Sequence, residues 1–480
     1  MKTIPLEQFT SLDRTTFFRF LEECRNEARR LGEGQILSIS RPVDHLDPLA
    51  ILDSIYEGEE PHFYLERPSG ESSVAGAEAV VSASIDGPDR FSQARAWADE
   101  LFARATLVGS PDLPWAGPHL FACFTFFPSP GETSGFPGAM LFLPRWQVGG
   151  QEGRYTATAN LLLEPESDVR AIGERVWAAH EKFSSFRYPE NAPSGSVDRA
   201  GPDSPPTVSE VGGPDAFPRA VAQAIAEIRA GTYDKVVLAR ALDFSFASPL
   251  RPLRALDLLR REYPSCFNFS FAPGGHSSLV GATPERLLRT IDGALRTEAI
   301  AGSAGRGSTA GEDARRAAEL LRSTKDLHEH QIVIEAIERR LREAGLEPER
   351  EHGPRLLTLP NVHHLQTPLR AALSPTSHPL DLLARLHPTP AVGGKPLAPA
   401  LDAIQRLESF PRGPYAGTIG WLNARGQSDF IVAIRSALIR GHDLRLYAGA
   451  GIVADSDPQC EWAETEIKFR ALREAFALRS

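Results

Sequence analysis

The sequence predicts an α+β fold built on a large, mainly antiparallel β-sheet core, two packed sheets flanked by helices. Three observations predict it. Short apolar runs bounded by Gly, Pro and Asp recur along the 480 residues, as where strands are joined by turns. Many of these runs adjoin one another with no helix between them, which antiparallel pairing allows and parallel crossovers do not. Helical periodicity falls between groups of strands rather than after each one.

Up to residue 187, QILSISRP, AEAVVSASI, HLFACFTFF, AMLFLPRWQV and YTATANLLLE read as strands, and Thr15–Arg30, Ser92–Ala105 and Asp168–Phe183 as helices. Residues 188–216 are rich in Pro, Gly, Ser and Asp and read as a linker or long surface loop. Asp215–Ala230 then reads as a helix and DKVVLARALDFSF as a strand. SLVGATPERLLRTI, GALRTEAIAG, YAGTIGWLNA, SDFIVAIRSALI and DLRLYAGAGIV are further strands. Helices are expected at Ala310–Ser323, Lys325–Ala344, Pro379–Leu386, Pro396–Glu408 and Cys460–Leu478.

Composition excludes several classes. A net charge of -10 argues against a nucleic-acid backbone as partner. An acidic chain that binds an anion must do so locally, through placed Arg or Lys side chains, backbone N–H groups or a metal. Cys24, Cys123, Cys266 and Cys460 lie far apart without metal-ligand spacing, so no disulfide framework is expected. The N-terminal MKTIPLEQFTSLDR has no apolar signal core, and no segment reaches the roughly 18 apolar residues of a membrane span. The expectation is a cytoplasmic protein with no membrane contact.

The chemistry gathers after residue 217. LYAGAGIVADSDPQCEWAETEIKF, residues 446–469, joins a glycine-rich turn to a helix start. Asp457 or Asp455 is the expected cap, with Pro458 in the first turn. Glu461 and Glu464 share one helix face, and Lys468 lies a turn further on. A second acidic pair, Asp326 and Glu329, opens the helix of STKDLHEHQIVIEAI. Acids at helix starts also suit the macrodipole, so either pair alone fits capping as well as chemistry. Together they form an oxygen donor set for a hard cation such as Mg²⁺. His328 and His330 flank Glu329, more than capping requires, but HEH lacks the HExxH spacing of a zinc helix.

Lys235 enters an apolar strand, where a lysine is costly unless paired or neutral. A neutral amine there is a general base; a lysine at the strand edge can instead snorkel to solvent. Burial of Glu285, in GATPERLL, would keep it protonated and make it an acid. A surface pair with Arg286 or Arg289 is the simpler local reading. Arg435 stands inside the apolar strand FIVAIRSALI and needs an anion, either a substrate carboxylate or a structural ion pair. His364, in VHHLQT, can orient a hydroxyl or be structural. The glycine-rich pieces 301–307, 390–396 and 448–453 are turns that also let backbone N–H groups approach carboxylates. None is a Walker A loop, because Pro396 follows Lys395, and none is a GxGxxG between strand and helix.

Nine blocks occur in order between residues 235 and 468: KVVLAR, GATPERL, TEAIAGSAGRG, KDLHEHQIV, VHHLQT, LHPTPAVGGKP, YAGTIGW, FIVAIRSALI and YAGAGIVADSDPQCEWAETEIK. Together they resemble the chorismate-binding enzymes, which include isochorismate synthase, salicylate synthase, the large subunit of anthranilate synthase and aminodeoxychorismate synthase. The resemblance implies that family's fold, with residues 217–480 as the chorismate-binding catalytic portion. Residues 1–187 would be the variable N-terminal portion of the shared core, similar only through GPHLFACFTFFPSPG and AMLFLPRW. Within the family the chain is most similar to isochorismate synthases. Water-adding members have a lysine where Lys235 stands and ammonia-using members generally do not, so no glutamine amidotransferase subunit is expected. Ala301 replaces the lysine of the KGT motif of aminodeoxychorismate synthases, and Ala391 stands where lyase-type members tend to have Thr. AGS replaces the more usual AGT, so Ser303 would supply that hydroxyl, and Gly305 would make the loop more flexible.

The implied reaction is Mg²⁺-dependent conversion of chorismate to isochorismate, feeding menaquinone or siderophore synthesis. Mg²⁺ would bridge the ring carboxylate to Glu329 and Glu464, with Asp326 and Glu461 acting directly or through water. Lys235 would take a proton from water attacking C2. Glu285 would protonate the departing C4 hydroxyl, with His364 helping to hold it. Arg435 and backbone N–H groups near Gly449 and Gly451 would hold the enolpyruvyl carboxylate, and Lys468 would meet the ring carboxylate. Ser303 and Ala391 would border the substrate. The nearest rival is salicylate synthase, which adds pyruvate loss to the same step. A non-catalytic chorismate-binding regulatory subunit would need neither Lys235 nor Glu285. A Mg²⁺-dependent phosphoryl-transfer enzyme would need a nucleotide loop that is absent.

Overall fold

The computed structural model describes residues 2–4, 14–70, 72–129, 131, 135–185 and 205–478. Among them are twenty-two strands and eleven helices. The strand pairings are antiparallel except for two, in which Ala105–Val108 runs parallel to Lys2–Ile4 and to Gln35–Val43. The α+β architecture and mainly antiparallel sheet expected from the sequence are present.

The Ala139–Gln151 strand is where the sheet divides. One of its edges pairs with Ser72–Ile85 along the whole strand. The other pairs with His119–Phe124 at one end and Arg154–Leu163 at the other. From this junction a side branch runs through Arg154–Leu163 to Gln35–Val43, Ala105–Val108 and Lys2–Ile4, and two longer arms build the core. The first continues through His62–Glu66, Phe267–Gly274, Ser277–Thr283, Ser436–Arg440, Asp443–Ile452 and Lys235–Ser245. The second continues through Thr418–Asn423, Ser428–Val432, Arg286–Ile291, Ala294–Gly305 and Val362–Ala372. The arms pack face to face: Phe63 of the first stacks on Phe121 of the second with ring centroids 4.2 Å apart. The two expected sheets are thus one hydrogen-bonded network folded on itself.

Two runs expected as single strands are each broken, because the chain crosses there from one arm to the other. SLVGATPERLLRTI splits into Ser277–Thr283 and Arg286–Ile291. Pro284, without an N–H, ends the ladder at that point. FIVAIRSALI splits into Ser428–Val432 and Ser436–Arg440. Arg435 lies in this break, not inside a strand, and adopts φ +50°, which L-residues seldom occupy. Both crossovers open between the arms, and they place Glu285 and Arg435 there.

Helices cover the outer faces. Ala216–Arg229 buries Phe217, Val221, Ala224, Ile225 and Ile228, a 3.6-residue stripe against Lys235–Ser245. Pro48–Ser54 and Pro252–Glu262 are helices that the sequence reading missed; each starts with Pro at its first turn. Residues 188–204 of the expected linker lie outside the described residues. Its end is not loop: Thr207–Glu210 pairs with Lys235–Ser245, where Glu210 receives both Nε and Nη2 of Arg240. Among the described residues no helix is long and apolar enough to cross a membrane.

Candidate active site

A cavity of about 260 Å³ lies between the two arms, and helix starts deliver acids to it. Ser323 caps the Thr324–Glu343 helix, its hydroxyl accepting from the Asp326 N–H at 3.2 Å. Asp457 caps Pro458–Ala475, accepting from the N–H groups of Gln459 and Cys460 at 3.0 and 2.9 Å. These caps fix the first turns, so Asp326, Glu329, Glu461 and Glu464 all line the one cavity. The other expected substrate-side residues line it too: Glu285, Ser303, His364, Ala391, Arg435, Gly449, Gly451 and Lys468. Lys235 is not on the cavity wall. It is 1% exposed and reaches the cavity through Glu329.

Lysines stand against three of the four acids, two of them closely and the third, Lys325 Nζ, at 3.9 Å from Glu461 Oε1. Lys235 Nζ donates to Glu329 Oε1 at 2.7 Å. Burial opposes ionisation of Glu329, but the Lys235 ammonium and its hydrogen bond prevail and hold the carboxyl below its ordinary range. Lys468 Nζ lies 2.6 Å from Glu464 Oε1 and also donates to the Gly449 carbonyl at 2.7 Å. Burial, and then the charge of Glu464, push Glu461 up; its Oε1 accepts from Ser456 Oγ at 2.7 Å. Asp326 accepts from the Ser323 hydroxyl. The donor set is all carboxylate oxygen, which suits a hard cation such as Mg²⁺. Among the described residues no three acids already converge as a cage. The side chain that Gly451 lacks would crowd this spot, since a Cβ there would lie 2.8 Å from Glu329 Oε1.

The strand edge bearing Gly449 and Gly451 is free beyond Leu446, where pairing with Ser436–Arg440 ends. Opposite these glycines, Ala239 and Val237 turn their N–H groups away, to Glu408 and to the Gly393 carbonyl. These are therefore non-hydrogen-bonded pairs. The N–H groups of Gly449 and Gly451 accordingly leave on the outer edge, with the Gly449 carbonyl that meets Lys468.

Across the cavity, the Ala294–Gly305 strand slips register between Ala301 and Ser303 against Val362–Ala372. Gly302 forms the bulge with φ +78°. This brings Ser303 Oγ to 3.2 Å from His364 Nδ1, and the Gly302 carbonyl to 3.3 Å from the same nitrogen. Arg435 Nη2 lies 3.1 Å from His364 Nε2. Arginine can only donate, so Nε2 accepts and the ring proton sits on Nδ1, facing Gly302. Burial, and then the Arg435 charge, hold His364 well below its ordinary pKa. The neutral ring thus orients the guanidinium. Arg435 is 8% exposed and has no carboxylate partner among the described residues. Gly305 is not in a flexible loop; it pairs with Val362 in the sheet.

Glu285 hangs from the other crossover, 4% exposed. Burial, and then the charge of Glu298, push its carboxyl up to about 8, against a smaller opposing effect of Lys235. It is therefore a protonated acid at neutral pH, not the surface partner of Arg286. That guanidinium is instead bidentate to Asp429, at 3.0 and 3.2 Å.

His328 and His330 do not join the site. His328 is exposed, and His330 turns inward to Thr367 Oγ1 at 2.8 Å. The cavity also recruits Lys325, Tyr415 and Tyr447, which sequence reasoning missed. The two tyrosine rings stack at 4.7 Å, and Tyr415 Oη would lie 3.0 Å from a Cβ on Gly449. The Tyr-Ala-Gly triplet repeated in YAGTIGW and YAGAGIV was the available signal.

The cavity thus gathers a buried acid, Lys468 and a buried arginine without a carboxylate partner among the described residues, beside four carboxylates. Comparison with known proteins gives the class. The model of the chorismate binding enzyme family matches residues 19–477. The salicylate biosynthesis isochorismate synthase of Pseudomonas aeruginosa is 35% identical, covering 98% of this chain and 96% of that protein. The isochorismate synthase MenF of Bacillus subtilis is 31% identical, covering 95% and 97%. The solved structure of MenF, the menaquinone-specific isochorismate synthase from Escherichia coli, matches with a TM-score of 0.75 at 28% identity, covering 95% of this chain and 99% of that one. The chain belongs to the chorismate-binding enzymes.

Proposed function

We propose that the chain is an isochorismate synthase that converts chorismate to isochorismate with Mg²⁺. One observation weighs most: a carboxyl kept protonated at neutral pH, Glu285, faces the same cavity as Arg435, a buried cation without a carboxylate partner. That pairing suits loss of a hydroxyl from a carboxylate-bearing substrate. The full-length likeness to named isochorismate synthases supports the reading.

In this proposal Arg435 and the N–H groups of Gly449 and Gly451 hold the enolpyruvyl carboxylate. His364 keeps Arg435 aimed, and Ser303 and Ala391 bound the ring. Glu329 and Glu464, with Asp326 and Glu461 directly or through water, would hold Mg²⁺, which would supply positive charge for the ring carboxylate. Lys468 stands beside that same carboxylate. Lys235 is held at the back of the site by its hydrogen bond to Glu329. Lys235, as the free amine, would accept a proton from the water that bonds to C2. The ring double bonds shift, the C4–O bond breaks, and Glu285 gives its proton to the departing hydroxyl, which leaves as water. We assign the product to menaquinone or siderophore synthesis; a menaquinone-specific isochorismate synthase is among the solved structures that resemble this chain.

The test is incubation of the purified protein with chorismate before and after chelation by EDTA, with products separated by chromatography. Isochorismate should form, stop after chelation and return with added Mg²⁺. Full activity after chelation contradicts the metal assignment, and salicylate with pyruvate as the products contradicts the reaction.

A further inference from the structure

Glu285 lines the cavity, yet among the described residues its carboxyl has no hydrogen-bond partner, and its own segment is a short crossover. What holds it lies behind the cavity. The peptide between Glu285 and Arg286 is gripped from both sides. Its carbonyl accepts from the Val432 N–H at 3.0 Å. Its N–H donates to Glu298 Oε1 at 3.0 Å. The other Glu298 oxygen accepts from Gln366 Nε2, and Gln366 Oε1 accepts from Arg355 Nε at 3.1 Å.

We propose that Glu298 is a positioning residue that serves the reaction through Glu285: its carboxylate anchors the peptide on which Glu285 is mounted and fixes a negative charge behind it. This rests on the reading of Glu285 as the acid. Glu285 is buried and Glu298 half-buried behind it, joined to its peptide through the Arg286 N–H, and their surroundings differ. Burial pushes Glu298 up as well, but it accepts hydrogen bonds and feels the Arg286 and Arg67 charges, which oppose that rise and favour its ionised form. Glu285 has no such bonds. The anion therefore resides on Glu298 and the proton on Glu285. Other groups act on Glu285 from the elements around it. Lys235, on its strand, favours loss of the proton. Arg435 and His364 face the cavity from the second crossover and from Val362–Ala372, and His364 is neutral. Asp429 engages the Arg286 guanidinium in a bidentate pair, so that cation is shared between two acids.

The test uses Glu298→Gln, which keeps an acceptor for the Arg286 N–H and removes the charge. Two quantities are followed in the full-length protein: the alkaline limb of kcat/KM, and the infrared band of the protonated Glu285 carboxyl, identified by its loss in Glu285→Gln. Both should move about one pH unit lower in Glu298→Gln, with turnover at pH 6 within a few-fold of wild type. Glu298→Asp keeps the charge on a shorter arm and should lower kcat at every pH while leaving the limb in place. A carboxyl band that titrates in Glu298→Gln as it does in wild type overturns the proposal, whatever Glu285→Gln does to turnover. Wild-type turnover in Glu285→Gln overturns the acid assignment instead, and the band shift still reports on Glu298.

Discussion

Replacing Glu285 with Gln should make the protein both less active and, at high pH, more stable. The carboxyl is held at about 8, against 4.5 for an ordinary glutamate, with burial the largest cause. At pH 7 about 90% of the molecules then hold the proton, and at pH 9 about 10%, so wild-type kcat/KM should fall roughly tenfold between them. Because the folded-state pKa lies above the unfolded one, the folded chain binds more protons across this window. Its stability contribution therefore falls as pH rises from 4.5 towards 8. The gap sets a ceiling of about 5 kcal/mol. Glu285→Gln cannot ionise and escapes this loss. It should match the wild type in stability below pH 4.5 and exceed it by a few kcal/mol at pH 9, while turnover at pH 7 drops by about 100-fold or more. Urea unfolding across a pH series and a chorismate turnover assay read the two effects. Parallel stability curves for the two proteins, or turnover above about a tenth of wild type, would refute the reasoning.

Two further substitutions separate chemistry from architecture. Lys235→Ala should abolish water addition while chorismate binding stays measurable by calorimetry; wild-type turnover would remove Lys235 from the mechanism. Arg435→Leu should raise KM by about 30-fold or more, as expected when a buried charged contact worth roughly 2–5 kcal/mol is lost. Its melting temperature should hold or rise, because the arginine is buried without a carboxylate partner. A fall of several degrees with unchanged KM would make Arg435 structural.

Local chemistry was legible in the sequence wherever a single residue decides the outcome. Asp457 followed by Pro458 announces a helix start, and the helix begins there. Arg435 was visible as a cation that needs an anion, but its backbone was not. An apolar run such as FIVAIRSALI looks the same whether it stays in one sheet or crosses to another, since both sides are buried. The same ambiguity hid the crossover at Pro284 and made a surface role for Glu285 look simpler than the buried one. Residue 302 was seen as a turn glycine; that it bulges a strand to bring Ser303 to His364 depends on a register set by another segment. Likewise, Lys235 and Glu329 are 94 residues apart, and only the assembled fold brings them to 2.7 Å. His328 and His330 stood out because they flank Glu329, yet neighbouring helix positions face different ways, and neither histidine reaches the cavity.

The central claim is that water adds at C2 while the C4 hydroxyl departs. Turnover of chorismate in heavy-oxygen water, followed by mass spectrometry of the product, tests it most directly. The account predicts isochorismate with one solvent-derived oxygen, located in the C2 hydroxyl. Unlabelled isochorismate, which would mean internal migration of the original hydroxyl, would contradict it.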